Sequence, residues 1–389
     1  MHVSIIIDNY NYGRFLREAI DSALGQDYPD KQVVVVDDGS TDDSRSIIAG
    51  YGNRIIPVFK ENGGQASAFN AGYRVAGGDV ILFLDSDDRL DSNAVSEVVE
   101  HFSDSRLTKV QWLLRLVDEA GSAIGGTRPA SPPPDGELRD SLLEQGPSSS
   151  PSSPTSGNAW RRSFLEMVMP VPEDVPYYRV CADEYLFNLA PVFGRIHTIP
   201  RPLGDYRLHG ASIYSARPFD ERLQLEIDGH RQQCRTLASV LNRHGVKADM
   251  EAWHRRSWFD RLKMAIDQIN RLIPGQARFL LVDGNTWGAH EIFGSRALPV
   301  MEHDGQFWGD PPDTRALLGE LERQYRKCVR FLVLTWPMFW WLDYYEGLRE
   351  SLTIHAACLV QNDLLAVYEL SFITQADAGM STANQPRNN

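Results

Sequence analysis

Asp85-Ser86-Asp87-Asp88 places three carboxylates within four residues, directly after the apolar run Val80-Ile81-Leu82-Phe83-Leu84. Acids this close repel one another unless a positive charge stands between them. A hard divalent cation, Mg²⁺ or Mn²⁺, fills that role and leaves positions open for phosphate oxygens. Five consecutive apolar residues read as a strand buried on both faces, the habit of a parallel sheet. The carboxyl edge of such a sheet is where open α/β folds take their ligands. A solvated acidic turn after a core strand is the competing reading.

The elements that must position this cluster follow from periodicity. Val3-Ser4-Ile5-Ile6-Ile7 reads as a first buried strand, and the polar turn Asp8-Asn9-Tyr10-Asn11-Tyr12-Gly13 comes next. Phe15, Leu16, Ala19, Ile20, Ala23 and Leu24 recur at helical spacing. Val33–Val36 is a second strand ending in Asp37-Asp38-Gly39-Ser40-Thr41-Asp42, where Ser40, Thr41 or Asp42 is expected to cap a helix through Ile47-Ile48. Ile55–Phe59 is a third strand, and Glu61-Asn62-Gly63-Gly64-Gln65 leads into a helix over Ala66–Val75. Strands and helices alternating in this way predict a parallel, doubly wound α/β sheet with right-handed crossovers. Every polar constellation named so far falls at one edge of it.

Four blocks, SIIIDNYNYG, VVVVDDGSTDDS, ENGGQASAFNAG and ILFLDSDD, resemble the inverting GT-A glycosyltransferases of family 2 in their order and spacing. The resemblance covers roughly the first 100 residues. It implies a Rossmann-like GT-A domain in which Asp8, Tyr10 and Asp38 contact the base and ribose of a nucleotide-sugar donor. Gln65 and Asn70 would line the donor pocket. Asp85 would lie near the ribose or sugar, and Asp85 and Asp87 would serve the metal. The family often carries Pro where Asp8 stands, so its base preference does not transfer.

The physical reading agrees. A donor diphosphate is anionic and this chain has a formal net charge of −13, so long-range steering opposes donor binding and disfavours a nucleic-acid partner. No GxxxxGK[ST] phosphate loop is present, since VDGNTWG at Val282–Gly288 lacks its Lys. A carboxylate-held cation is then the means of carrying the diphosphate. An acceptor hydroxyl, on a sugar, a lipid-linked sugar or a protein, also needs a base. Cys181-Ala182-Asp183-Glu184-Tyr185-Leu186 opens a helical pattern at the place where the family commonly has Glu-Asp. Here Ala182 holds the Glu position, and Asp183 inherits the role of base with Glu184 as rival. Acids at a helix start are also common for capping alone. Tyr206-Arg207-Leu208-His209-Gly210 resembles a further family segment, which implies His209 as a metal or diphosphate ligand and Arg207 as a phosphate contact. Arg161 and Arg162 stand where the family has an acceptor-side loop. Trp160 is either a sugar-stacking ring or a core aromatic.

Length and composition set the frame. The chain has 389 residues, enough for two domains. The expected division is a GT-A domain over 1–215, a helical connector over 216–276, a small α/β domain over 277–372 and a disordered tail over 373–389. Pro129–Pro134 and Gly146–Ser156 are rich in Pro, Ser and Gly and are expected to form a mobile acceptor lid. The cysteines, Cys181, Cys234, Cys328 and Cys358, show no CxxC pair, which argues against zinc and against a disulfide framework. Reduced cytosol is the expected location, with no signal peptide before the first strand. Phe331–Leu342 is about half the ~20 residues of a membrane helix and contains Pro337. It is expected to be a buried strand turning into a helix, with peripheral membrane contact through Trp336, Phe339, Trp340 and Trp341 as the alternative. Asp283, His290, Glu302, His303 and Asp304 match no metal-binding spacing.

The sequence thus predicts a metal-dependent, inverting glycosyltransferase of bacterial polysaccharide or glycoconjugate assembly. A nucleotidyltransferase of the same fold and a non-catalytic nucleotide- or sugar-binding module are the alternatives.

Overall fold

A computed structural model describes residues 1–148, 151–209, 218–303 and 306–371. The chain forms two compact units, residues 1–217 with 225–256, and residues 218–224 with 257–389. The stretch expected as a connector is therefore shared between the two.

The first unit is built on β1 (Val3–Asn9), α1 (Gly13–Leu24), β2 (Lys31–Asp38), α2 (Ser44–Ala49), β3 (Ile56–Lys60), α3 (Gln65–Val75) and β4 (Val80–Asp85). After these come β5 (Arg89–Leu90), α4 (Ala94–His101), β6 (Leu107–Val117), β7 (Ala123–Arg128), α5 (Arg139–Gln145), β8 (Asn158–Arg161), α6 (Arg162–Val168), α7 (Ala182–Phe193) and β9 (Arg195–Arg207). The helices α8 (Phe219–Arg243) and α9 (Met250–Arg256) follow. The large sheet runs in the order β3-β2-β1-β4-β8-β6-β9-β5, with β7 beside β6. Its β3-β2-β1-β4 half is parallel, as expected. Beyond β4 the parallel expectation fails, because β8 runs antiparallel to both β4 and β6.

Continuous apolar strands are explained by burial on two faces. Ile6, Val34, Val36, Ile81 and Phe83 pack beneath α3, α6, α7, α8 and α9 in one core. Ile5, Ile7, Val33, Val35, Leu82 and Leu84 point the other way into a core shared with α1, α2 and α4. Alternate residues of each strand thus serve opposite layers. Of Ser40, Thr41 and Asp42, it is Asp42 that reaches an amide of α2. Asp43 precedes α2 without a side-chain cap, while Asp42 accepts the amide protons of Gly13 and Ser44 at 2.9 and 3.0 Å and so ties α1 to α2.

The second unit contains α10 (Trp258–Leu272), β10 (Phe279–Val282), α11 (Ala289–Phe293), β11 (Ala297–Pro299), β12 (Glu302–His303), β13 (Gln306–Phe307), α12 (Thr314–Arg326), β14 (Phe331–Thr335), α13 (Trp341–Tyr344), α14 (Leu348–His355), β15 (Ala356–Gln361) and β16 (Leu365–Leu370). Its five-stranded sheet, β11-β10-β14-β16-β15, joins a parallel trio to the antiparallel hairpin β15–β16. The run Phe331–Leu342 is a buried strand that turns into short helices. Among the described residues no helix is long and apolar enough to cross a membrane. The segment 373–389 lies outside the described residues.

Candidate active site

In the strand order 3-2-1-4 the chain leaves β1 in one direction and returns to β4 on its other side, so the topological switch point lies between β1 and β4. Asp8 and Asp85, the residues at the carboxyl ends of these strands, stand in register there. Burial pushes the carboxyl groups of both well above their usual range, and the charges of Asp87 and Asp183 add to the effect on each. Asp8 Oδ1 is buried without a hydrogen-bond partner.

The rest of the acidic turn divides its labour. Asp88 is buried and structural: it accepts hydrogen bonds from the Ser156 hydroxyl (2.6 Å) and the Arg207 amide (3.0 Å). Burial, with Asp87 close by, raises its carboxyl to about 8. Asp87 faces His209, with Oδ2 and Nε2 3.0 Å apart. Cis ligands of an octahedral ion at 2.0–2.1 Å stand about 2.9 Å apart, so this pair has the spacing of two metal ligands. The carboxylate suits Mn²⁺ or Mg²⁺, and the imidazole favours the softer Mn²⁺ of the two. Tyr12 and Phe15 pack on the His209 ring, and His209 Nδ1 is buried without a partner. Asp85 is not part of this pair; its Oδ1 meets the Gln65 amide at 3.4 Å.

Gln65 begins α3 and joins two sides of the site. Its amide group reaches Asp85, and its carbonyl accepts the Ala182 amide proton at 2.9 Å, at the start of α7. Asp183 follows in the first turn of α7. Thr155 donates its hydroxyl to Asp183 Oδ2 at 2.9 Å, and the Glu184 amide reaches Oδ1 at 3.0 Å. Burial raises the Asp183 carboxyl above its ordinary value. Glu184 is held differently, by the Tyr177 hydroxyl (3.0 Å), the Ser148 hydroxyl (3.2 Å) and the Gln233 amide (2.6 Å). Burial, and then Asp183, lift its carboxyl to about 7. A cleft of about 690 Å³ opens onto Gln65, Asp85, Asp183 and Glu184, with Pro129, Ala130 and Ser152–Thr155 of the two Pro- and Ser-rich loops on its wall.

Several sequence expectations are corrected by what the side chains touch. Asn70 does not line the cleft. Its amide is consumed by the Val171 carbonyl, the Val171 amide and Glu173, and it is 2% exposed. Arg207 is not free for phosphate, because its guanidinium donates to the carbonyls of Asp87 and Glu119 and to Glu18, and lies over the Phe15 ring. Asp38 accepts the amides of Gly63 (2.9 Å) and Gly64 (2.7 Å) and pairs with Lys60, so in this structure it shapes the loop before α3. Gly64 has φ +85°, and a Cβ there would lie 2.7 Å from the Arg179 carbonyl oxygen. Tyr10 is exposed at the end of β1. Arg161 and Arg162 spend their guanidinium groups on backbone carbonyls. Trp160 is a core aromatic, stacked with Phe164 and Phe187. In the second unit Asp283 accepts the amides of Asn285 and Trp287 in a turn, and Asp304 lies outside the described residues.

Lys109 is the residue that sequence reasoning missed. It sits buried in β6, donates to Ser152 Oγ at 2.5 Å, and lies 4.6 Å from the Phe187 ring centre. Burial lowers its amine to about 7, against the opposing pull of Asp183. The available signal was a Lys early in the strand LTKVQWLLRLV, whose first eight residues are all buried.

A two-layered sheet with acids at its switch point and a second smaller sheet is the GT-A arrangement with an added α/β unit. Residues 4–123 match the profile of Glycosyl transferase family 2. An uncharacterized glycosyltransferase of Nostoc sp. is 38% identical over 216 residues, covering 54% of this chain and 66% of that protein. Chondroitin synthase of Pasteurella multocida is 41% identical over 126 residues, 31% of this chain and 13% of that protein. The chain thus spans less than two thirds of the length of these relatives. Among solved structures, a mannosyltransferase from Pyrobaculum calidifontis aligns over 70% of this chain and 76% of its own, with 19% identity and a TM-score of 0.46.

Proposed function

We propose that the chain is a metal-dependent, inverting glycosyltransferase that moves a sugar from a nucleoside-diphosphate donor to an acceptor hydroxyl. The observation that carries this reading is the meeting, in one cleft, of Asp85 at the sheet edge and Asp183 on α7, bridged through Gln65. The family of residues 4–123 supports the reaction class.

In this reading Tyr10, Asp8 and Asp85 receive the nucleoside and sugar of the donor, and Asp87 with His209 would hold Mn²⁺ or Mg²⁺. That ion, when bound, neutralises charge on the departing diphosphate. Asp183 takes the proton of the acceptor hydroxyl. The hydroxyl oxygen then forms a bond to the anomeric carbon as the bond to the diphosphate oxygen breaks on the opposite face, so one displacement inverts the configuration. Glu184, with three donors on its carboxylate, is the poorer base and the better anchor. Assembly of a bacterial polysaccharide or glycoconjugate is the proposed setting, supported by the chondroitin synthase similarity.

The test is calorimetric titration with UDP, GDP, CDP and dTDP, each with Mn²⁺ and again with EDTA. Binding of one diphosphate that EDTA abolishes is the expected result, followed by transfer from the matching sugar donor. Failure of all four with Mn²⁺ present would overturn the reading.

A further inference from the structure

Outside the cleft, three side chains with metal-binding chemistry meet in the core of the first unit. His230 and Cys234 stand four residues apart on α8, which places them on one face of the helix. His254 comes from α9. One ligand atom from each lies within 4.8 Å of the other two. Cys234 Sγ is 3.4 Å from His230 Nε2. Tetrahedral zinc, with Zn–S near 2.3 Å and Zn–N of 2.0–2.1 Å, sets two such ligands about 3.5 Å apart. Cys234 is fully buried, and His254 Nδ1 is buried with no hydrogen-bond partner. A buried ring nitrogen left unpaired is costly, and native cores rarely tolerate one without reason.

We propose that His230, Cys234 and His254 form a zinc site of three protein ligands, completed by water, that clamps α8 to α9. A thiolate with two imidazoles is the donor set that selects zinc over the hard ions expected at Asp87 and His209. His254 is partly exposed, which gives the ion an entry path and the water its place. The clamp has a reach. α8 also carries Gln233, which holds Glu184 and Asn188. α9 also carries Trp253, whose Nε1 donates to the Leu143 carbonyl of α5 at 2.9 Å and whose ring packs on Gly146, where a Cβ would lie 2.6 Å away. Fixing α8 to α9 therefore steadies the framework behind Glu184.

The experiment is a Co²⁺ titration of the full chain, followed by near-ultraviolet absorption, with Zn²⁺ competition and elemental analysis. The expected result is a thiolate-to-cobalt charge-transfer band that saturates at one ion per chain and is displaced by one equivalent of Zn²⁺. Asp87 and His209 have no sulfur, and Cys181, which lines the cleft, is retained in Cys234→Ser, so a band from the cleft would survive that variant. Cys234→Ser should abolish the band, and His254→Gln should weaken Co²⁺ binding by at least about tenfold. If Cys234→Ser fails to fold, His254→Gln at its more exposed position decides. The proposal is overturned by a missing band at stoichiometric Co²⁺, by a band that survives Cys234→Ser, or by unchanged affinity in His254→Gln.

Discussion

Replacing Asp183 and Glu184 each by its own amide separates a base from an anchor, although the two are neighbours in the chain. Burial and the adjacent Asp183 raise the Glu184 carboxyl from 4.5 to about 7. At 1.36 kcal/mol per pH unit, that displacement of about 2.5 units bounds the cost of the charged form at ~3.4 kcal/mol, and solvent near a partly exposed side chain reduces this to ~1–2 kcal/mol. In Glu184→Gln the amide oxygen can accept from Ser148 and Gln233, while its N–H₂ donates to Tyr177, whose hydroxyl then acts as acceptor. The network survives and the buried charge is gone.

The sign follows from linkage. A carboxyl raised on folding leaves stability intact below pH 4.5 and loses it as pH rises through about 7. Glu184→Gln should therefore melt about 3–6 °C above the parent at pH 8 and equal it near pH 4.5, while retaining most of its transfer rate. Asp183→Asn should lose ~10²–10⁴-fold in kcat, equivalent to ~2.7–5.4 kcal/mol at the transition state, with nucleotide affinity preserved. Thermal melts at three pH values and nucleoside diphosphate release would decide. A Glu184→Gln enzyme that loses transfer while Asp183→Asn keeps it would refute the assignment. A stability gain that does not change with pH would refute the electrostatic argument.

Asn70→Ala should cost ~2–4 kcal/mol in urea unfolding, because it strands the buried amide and carbonyl of Val171, yet nucleotide affinity measured by calorimetry should not move. Lys109→Met should raise stability. An amine lowered to about 7 costs the folded state most at and below that pH, so the gain should be ~1–3 kcal/mol at pH 6 and fade towards pH 10.5, as read from melts across that range. Gln65→Leu breaks the link between Asp85 and α7. Its kcat should fall by more than its nucleotide affinity, a split measurable by steady-state kinetics beside calorimetry.

The parallel half of the sheet was legible because β1, β2 and β4 are buried on two faces and must be apolar throughout, as Val33–Val36 and Val80–Leu84 are, whereas β3 is a half-exposed edge strand. The antiparallel half was not, since nothing local in Asn158–Arg161 says which neighbour it will choose. At the site, Asp8 and Asp85 end apolar runs, Asp87 follows in the acidic turn, Asp183 opens a helical pattern and His209 stands in the YRLH segment. Asn70 and Arg207 were misread for a common reason. A polar side chain with several hydrogen-bonding groups looks the same in sequence whether a ligand or a backbone carbonyl satisfies them. The His230–Cys234–His254 cluster was hidden by its spacing: two ligands one helical turn apart and a third from another helix make no short motif.

Two sources of order converge on the cleft, and they are of different kinds. Asp8 and Asp85 are placed by the sheet: their strands are hydrogen-bonded in register, so their separation changes little while the core holds. Asp183 is placed by α7, whose start is tied by Gln65, with Thr155 holding the Asp183 carboxylate itself and the helix body packed into a core shared with α3. A displacement needs the acceptor hydroxyl and its base on the face of the sugar opposite the leaving diphosphate. In the proposed reaction, carboxylates on the sheet edge and Asp183 on a separate helix across the cleft would provide for that division. Gln65 links Asp85 to the start of α7 through its two amide atoms, which ties the spacing between Asp85 and the first turn of α7 to α3.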